Sequence, residues 1–251
     1  MSFVWTENHG AIRVLYLSRP KANALNHAMV DQISSAVRAA GADHAVRALV
    51  LASDQQRFFS AGFDVAEVFA YDRNALSAHL LAYGNLLARL HTFPKPTVAA
   101  LTGHAYAGGA ILALTADFRV MAQGAFNFAL IEINLGISLP PAVYSMLAAV
   151  VGPRHARRMV LTGEQMPPER ALEIGLVDEM AEPEHTLTRA LQIAQLLADK
   201  SPQAYAAIKE AARHGISHGL TPESYAPPID LWFTPEAEER KRAVLAGMGK
   251  A

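Results

Sequence analysis

The sequence predicts an α/β protein of globular composition. Short β-branched apolar stretches alternate with stretches of helical spacing in the first half, whereas the pattern after Pro141 is almost entirely helical. The 251 residues are 51% hydrophobic and 18% charged, which suits one large domain or two small ones. No repeat, low-complexity tract or linker interrupts the chain. We therefore expect an α/β core over residues 1–195 and a helical region over 196–251.

The elements of the first half follow from hydrophobic periodicity. Helix 27–40 carries Met29, Ile33 and Val37 on one face, and Asn26 can cap its start. Helix 76–90 has leucines at helical spacing and stops at the sequence FPKP. A further helix is expected over 110–115. The predicted strands are 11–18, 47–53, 97–103, 118–122 and 125–129.

Prolines and glycines divide the second half into helices. Pro153, Pro168 and Pro202 stand where first-turn prolines belong, and Gly163 and Gly175 stand where helices end. A last helix is expected to start at residues 234–235. This half therefore predicts several helices packed against the α/β core.

Composition excludes several classes of function. The net charge of −1 gives no overall attraction to nucleic acid or to an anionic membrane. The absence of cysteine excludes disulfides, thiolate metal sites and a cysteine nucleophile. No apolar run approaches the roughly 20 residues of a membrane span, and the first residues do not have the pattern of a signal peptide. We expect a soluble, cytoplasmic protein without nucleic-acid or membrane partners.

The common phosphate-binding and nucleophile motifs are absent from the chain. It has no G-x-x-x-x-G-K-[ST] loop, no G-x-G-x-x-G after a strand and no G-x-S-x-G elbow. His214 and His218 have i, i+4 spacing, but Gly215 lies between them and no third ligand is evident, so two solvated histidines are the better interpretation. We predict no metal site.

Two glycine-containing turns could present backbone N–H groups to a ligand. FSAGFDV (59–65) follows one predicted strand, and GHAYAGGAILALTAD (103–117) follows the next. Two N–H groups that converge on one oxygen form an oxyanion hole. Each turn by itself is more often a packing feature than a catalytic one, so the order and combination of the motifs matter.

A carboxylate interrupts an apolar stretch later in the chain. Glu132 lies at the centre of FALIEINLGI (128–137), and a glutamate is almost never fully buried without a partner. Two interpretations are open. Glu132 is either a partly exposed residue at a strand end or a carboxylate held in an apolar pocket for proton chemistry.

Taken together and in order, the motifs resemble the enoyl-CoA hydratase/isomerase, or crotonase, superfamily. The resemblance rests on RPKANALN, FSAGFDV, AYAGGAILALTADFRV and FALIEINLGI, and continues through LTGEQMPPERALEIGLVDEM and LADKSPQAYAAIKEA, so it covers nearly the whole chain. It implies a spiral core of repeated ββα units and C-terminal helices that mediate trimers, often paired into hexamers. It also implies acyl-CoA thioester substrates, with coenzyme A entering as part of the substrate and no separate cofactor.

The resemblance assigns roles by position. The oxyanion donors fall on the backbone N–H groups of Phe63 and Gly108. Asp64 has an equally good interpretation as a carboxylate that stabilises its turn. The positions that match substrate contacts are Lys21, Ala22, Ala24, Leu25, Ala61, Asp64, Val65 and Ile111.

The number of catalytic glutamates separates hydratases from isomerases within the family. Hydratases of the family typically carry two glutamates, and the positions that match them here are Ile111 and Glu132. One carboxylate can move a proton from C2 to C4, whereas hydration divides its work between two. INLGISLPP after the glutamate also resembles the Δ3,Δ2-enoyl-CoA isomerase branch, so we favour an isomerase. A single-glutamate hydratase, an acyl-CoA hydrolase and a CoA-binding assembly protein with little turnover stay as alternatives.

Overall fold

A computed structural model describes residues 2–217, 219 and 221–248, and they form a two-sheet α/β fold. The strands are β1 (Val4–His9), β2 (Ile12–Leu17), β3 (Ala48–Ser53), β4 (Phe58–Ser60), β5 (Thr97–Leu101), β6 (His104–Tyr106), β7 (Phe118–Ala122), β8 (Phe128–Ala129) and β9 (Glu179–Ala181). The α-helices are α1 (His27–Ala42), α2 (Val65–Val68), α3 (Arg73–His91), α4 (Gly108–Leu114), α5 (Pro141–Thr162), α6 (Pro168–Glu173), α7 (Thr186–Ala198), α8 (Pro202–Ser217), α9 (Ala226–Trp232) and α10 (Pro235–Met248). Short 3₁₀ helices span Glu132–Leu135, Pro183–His185 and Pro222–Tyr225.

Two sheets alternate along the chain. The larger sheet has the order β1-β2-β3-β5-β7-β9, antiparallel only between β1 and β2, and the smaller sheet has the parallel order β4-β6-β8. In the larger sheet β3, β5 and β7 are each followed by a strand of the smaller sheet and then by a helix. This is the repeated ββα architecture that the sequence predicts.

The pleat of the larger sheet divides the core into two layers. Leu15, Leu49 and Leu51 point to the face that α1, α3 and α4 cover. Val14 and Val50 point to the opposite face, which α7 covers. Residue 195 lies within α7, so the expected division of the chain at 195 would cut a helix that packs on the sheet. That division stays a prediction.

Most predicted boundaries agree with the structure. The side chain of Asn26 accepts a hydrogen bond from Met29 N at 3.0 Å, which caps α1. Pro153 begins a helical segment as predicted, because Gly152 has φ = 76° and breaks α5 immediately before it. The strands β1, β4, β6 and β9 are not predicted by the sequence pattern. None of the described helices has both the length and the hydropathy that a membrane crossing requires.

Candidate active site

The two glycine turns meet in the structure. β4 and β6 are parallel neighbours, so the turns that follow them emerge on the same side of the smaller sheet. Gly62 has φ = 90°, and a Cβ atom there would lie 2.9 Å from Tyr106 O and 3.1 Å from Gly108 N. A side chain at position 62 would therefore collide with the second turn. The glycine permits the close contact between the two turns.

The contact brings the two expected oxyanion donors together. Leu25 N–H donates to Gly62 O at 2.7 Å, and Asp64 N–H donates to Leu25 O at 3.0 Å, so the residues on each side of Phe63 are held to Leu25. Gly108 is the first residue of α4, where an N–H has no partner within the helix. Neither Phe63 N–H nor Gly108 N–H donates to a backbone carbonyl of the described residues. Both are available to a ligand oxygen.

Backbone strain marks the second turn. Ala107, the residue before Gly108, has φ = 45° and ψ = −122°, a conformation that residues with a Cβ atom rarely adopt. Its N–H donates to Ala129 O at 2.9 Å, which ties the turn to β8. Such strain costs about 1–3 kcal/mol and persists where the surrounding structure imposes it. Here the strained residue sets the direction of the Gly108 N–H group.

Glu132 is buried in the same region. It begins the 3₁₀ helix after β8, its exposed fraction is 7%, and its Oε2 atom has no hydrogen-bond partner among the described residues. Burial raises the pKa of the Glu132 carboxyl to about 7, and a backbone hydrogen bond opposes this only in part. The interpretation of Glu132 as a partly exposed strand-end residue is therefore wrong. Near pH 7 the group can both accept and donate a proton.

A narrow apolar cavity of about 100 Å³ joins the turns to Glu132. Ile111, one turn along α4 from Gly108, faces it with an exposed fraction of 5%. The residues that line it are Ala61, Phe63, Val65, Phe69, Leu80, Tyr83, Leu87, Ala107, Gly108, Ile111, Ile131, Glu132, Leu135, Ile137, Ser138, Leu139, Pro140, Val143, Pro228 and Trp232. Glu132 is the sole carboxylate in that lining, taken over the part of the chain that the structure describes.

A wider cleft of about 600 Å³ adjoins this cavity. It shares Ala61, Phe63 and Val65 with the narrow cavity, so the two are continuous along the first turn. Most of the expected substrate contacts lie here, together with Arg19 and Val244. Those contacts are Lys21, Ala22, Ala24, Ala61, Asp64 and Val65.

Two expected contacts have structural roles. Leu25 is fully buried and lines neither cavity, and it acts through the backbone hydrogen bonds that hold the first turn. Asp64 caps α2 by accepting from Ala66 N and Glu67 N, and it pairs with Arg19. The interpretation of Asp64 as a turn-stabilising carboxylate is thus correct, although the residue also lines the cleft.

Sequence reasoning missed three aromatic residues that line the narrow cavity. Tyr83, Phe69 and Trp232 come from α3, from the residue after α2 and from α9, and Tyr83 donates a hydrogen bond to Gly108 O. Their spacing is that of ordinary core residues, so no local signal distinguishes them.

No metal-binding cluster is evident in the part of the chain that the structure describes, where no three His, Asp or Glu side chains group to hold an ion. His214 lies in α8, and His218 lies outside the described residues. The expectation that the protein works without a metal stays a prediction.

Comparison with known proteins agrees with this geometry. The family model described as enoyl-CoA hydratase/isomerase matches residues 7–246. The chain is 37% identical over 215 residues to the 2,3-dehydroadipyl-CoA hydratase of Escherichia coli K12, covering 85% of this chain and 82% of that protein. It is 35% identical over 213 residues to the crotonyl-CoA hydratase of Syntrophomonas wolfei, covering 84% of this chain and 81% of that protein.

Solved structures show the same fold. Human mitochondrial Δ3,Δ2-enoyl-CoA isomerase superposes with a TM-score of 0.95 at 25% identity, covering 99% of both chains. An enoyl-CoA hydratase from Bacillus halodurans superposes with a TM-score of 0.87 at 25% identity, covering 96% of this chain and all of that one. This chain thus has a crotonase fold, and on it lie the two contacting glycine turns, the buried carboxylate of Glu132 and the adjoining cleft. The chain belongs to the enoyl-CoA hydratase/isomerase family.

Proposed function

We propose that the protein isomerises 3-enoyl-CoA to 2-enoyl-CoA. The Glu132 carboxylate removes a proton from C2 of the bound thioester and returns it to C4. The intermediate is a dienolate whose negative charge collects on the thioester oxygen. The N–H groups of Phe63 and Gly108 donate to that oxygen and stabilise the charge. Homologues in the family act on CoA thioesters by name, which supports acyl-CoA as the substrate class.

One observation carries this choice within the family. The cavity that holds Glu132 has no second carboxylate among its described lining residues. By the family resemblance, Ile111 matches the position where hydratases carry their other glutamate, and Ile111 lines this cavity. Apolar walls favour the isomerase in two ways. They raise the proton affinity of Glu132, and they keep water from the dienolate.

Hydration of 2-enoyl-CoA is the second candidate. It is favoured by the names of the two relatives from Escherichia coli and Syntrophomonas wolfei, both hydratases at 35–37% identity. Such an enzyme would have to activate water with Glu132 as its single carboxylate. Hydrolysis of the thioester and CoA binding without turnover are weaker candidates, since no observed group favours either.

Two substrates separate these possibilities. Incubation with 3-hexenoyl-CoA is expected to produce 2-hexenoyl-CoA, whereas incubation with 2-hexenoyl-CoA is expected to produce little 3-hydroxyhexanoyl-CoA. Chromatography of the thioesters measures both products and free CoA. Rapid hydration of 2-hexenoyl-CoA without isomerisation would establish the hydratase instead, and release of CoA would establish a hydrolase.

The isomerase is expected to depend on pH through Glu132. The base is the ionised carboxylate, so kcat/KM for 3-hexenoyl-CoA should rise with pH, reach half its maximum near pH 7 and level off above it. Initial rates between pH 5 and 9 test this, with circular dichroism at each pH to confirm the fold. A rate that stays nearly constant from pH 6 to pH 9 would show that the pKa of Glu132 has not been raised and that the carboxyl is not buried in the working enzyme.

Substitution of Ile111 tests the distinction from hydratases. Ile111→Glu would place a second carboxylate in the apolar cavity, so we expect isomerase activity to fall by at least about tenfold. Hydration gained by this variant should stay small because no supporting shell positions the water. Ile111→Leu is the matched control and should keep most activity. Both variants must have the same oligomeric state as the native protein. An unchanged isomerase rate in a folded Ile111→Glu protein would show that position 111 does not face the reacting carbons.

We further propose that the protein is a homotrimer or a dimer of trimers, with no stable monomer at micromolar concentration. Large apolar side chains are exposed on α5, α7 and α8, namely Leu161, Leu196 and Ile208. Surfaces of this kind often mark contacts between subunits. Sedimentation velocity should give a mass of three or six times 27.0 kDa. A species of 27.0 kDa across the micromolar range would contradict the proposal.

A further inference from the structure

Tyr83 contacts both residues that are expected to supply the oxyanion N–H groups. It lies in α3 with an exposed fraction of 2%, and it lines the narrow cavity. Its ring meets the ring of Phe63 edge-on, with 5.0 Å between the centroids. Its hydroxyl donates a hydrogen bond to Gly108 O. One side chain from a third element therefore joins the two turns.

The ring of Phe63 also lies against Gly108. A Cβ atom at Gly108 would be 3.3 Å from two ring carbons of Phe63, so the ring occupies the side of the glycine where a side chain would stand. His79, one turn before Tyr83 in α3, meets the same ring with 4.7 Å between the centroids. Tyr83, Phe63 and Gly108 thus contact one another, and α3 packs against both turns.

Gly108 needs such contacts to hold its N–H group in one direction. Glycine has more backbone freedom than other residues, and an oxyanion donor is effective when its direction is fixed before the substrate binds. On one side of Gly108, the strained residue Ala107 donates its N–H to Ala129 O at 2.9 Å. On the other side, the Tyr83 hydroxyl holds the Gly108 carbonyl. The backbone around Gly108 is thus restrained on both sides.

A hydroxyl at position 83 is not required to fill the core. A phenylalanine ring would occupy the same space and bury no polar group, whereas a buried hydroxyl costs free energy unless it is paired. Tyr83 meets this requirement by donating to the residue whose N–H is expected to bind the thioester oxygen. The acceptor of its hydrogen bond therefore belongs to the expected oxyanion hole.

We infer that Tyr83 is a positioning residue, which aligns the N–H groups of Phe63 and Gly108 on the thioester oxygen. It acts through these two residues, with its hydroxyl on the Gly108 carbonyl and its ring on Phe63. The inference rests on the proposed acyl-CoA function and adds to it a residue from outside the two turns. Loss of the hydroxyl should weaken the polarisation of the substrate carbonyl but leave the wider cleft intact, because Tyr83 does not line that cleft.

Infrared spectroscopy of bound hexanoyl-CoA measures this polarisation. When the carbonyl carries carbon-13, its stretching band can be separated from the protein bands, and its frequency falls as hydrogen bonds to the oxygen strengthen. We expect a lower frequency in the wild-type complex than in free hexanoyl-CoA, and a return towards the free value in Tyr83→Phe. In this variant kcat for 3-hexenoyl-CoA should fall about tenfold, less than the roughly 10²- to 10³-fold that follows loss of a whole donor. Hexanoyl-CoA affinity should change by less than about threefold, because the donors matter most in the transition state.

Tyr16→Phe is the matched control. Tyr16 is also a buried tyrosine whose hydroxyl donates to a side chain, that of Glu7 at 3.4 Å, and it lines neither cavity. Its substitution should change neither the band nor kcat. An unchanged band in folded Tyr83→Phe would overturn the inference even if the rate falls, because a purely structural role does not alter the carbonyl. An unchanged rate would overturn it as well.

A second background covers the case in which Tyr83→Phe does not fold. Glu132→Gln removes the cost of a buried charge, so Tyr83→Phe can be added to it and the band of the double variant compared with that of Glu132→Gln alone. The double variant should again show the weaker shift, and equal bands would overturn the inference. If the double variant does not fold either, the hydroxyl has a structural role and the inference is likewise overturned. A wild-type band at the frequency of free hexanoyl-CoA, or no binding of hexanoyl-CoA, would instead contradict the proposed function itself.

Discussion

Glu132→Gln is expected to lower the isomerisation rate by roughly 10²- to 10⁴-fold, the usual contribution of a general acid–base group. Gln keeps the shape of the side chain but cannot carry a proton between C2 and C4. Because the amide still fits the cavity, hexanoyl-CoA should bind with nearly its original affinity. Steady-state rates with 3-hexenoyl-CoA and calorimetric titration with hexanoyl-CoA measure the two effects.

The same variant is expected to be more stable than the native protein above pH 7. Burial raises the pKa of Glu132 from 4.5 to about 7, so the folded state favours the protonated group. Ionisation therefore costs stability, and this cost grows between pH 4.5 and 7 and is then constant. Since one pKa unit corresponds to about 1.4 kcal/mol, the rise from 4.5 to about 7 makes ionisation cost about 3 kcal/mol at pH 8, and Gln should remove that cost. Urea unfolding at pH 5 and pH 8 measures the difference.

Glu210→Gln is the matched control for both measurements. Glu210 is exposed on α8 and lines neither cavity, so its substitution should change neither the rate nor the pH dependence of stability. A loss of less than tenfold in Glu132→Gln would remove Glu132 from the mechanism. A stability difference that is the same at both pH values would show that the carboxyl is not buried in solution.

Gly108→Val is expected to lower kcat by roughly 10²- to 10³-fold, the usual effect of losing one oxyanion-hole donor. A Cβ atom at Gly108 would lie 3.3 Å from two ring carbons of Phe63, so the added side chain presses on the residue that supplies the other donor. The branched carbons of Val would also stand between the Gly108 N–H group and the thioester oxygen. Rates with 3-hexenoyl-CoA, together with thermal unfolding, separate loss of catalysis from loss of fold.

A graded series provides the controls for this prediction. Gly108→Ala should be less harmful than Gly108→Val because it adds only one carbon. Phe63→Leu should cost much less than Gly108→Val, because Phe63 contributes its backbone N–H and its ring packs beside Tyr83. Equal and mild effects at positions 63 and 108 would show that these turns do not form the oxyanion hole.

Strong local patterns were sufficient for most helices and for β2, β3, β5 and β7 of the larger sheet. Helix α1, its cap at Asn26 and its buried face follow from spacing alone. The strands β4 and β6 could not be predicted, because three residues are too few for a periodicity to be detected. The segment after β8 forms a 3₁₀ helix that ends at Gly136, although its apolar residues suggest a strand.

Some residues of the candidate site could likewise be identified from the sequence, and others could not. Glu132 and the two turns were identified from residue types and from the family resemblance, and the structure brings them to one cavity. Leu25 was expected to contact substrate, and its role in holding Phe63 depends on a pairing between distant segments. Trp232 could not be identified, since a tryptophan in a helix has no local feature that separates a cavity wall from ordinary core.

The sequence by itself determined the α/β class, the family, the glycines of the turns and the unusual position of a glutamate in an apolar stretch. These features depend on residues that are neighbours along the chain. The tertiary structure decided that Gly62 touches Gly108, that burial raises the pKa of Glu132 to about 7, and that Trp232 lines the same cavity. Each of these depends on contacts between segments far apart in sequence, because desolvation and the alignment of donors arise only when the parallel strands and α9 pack together.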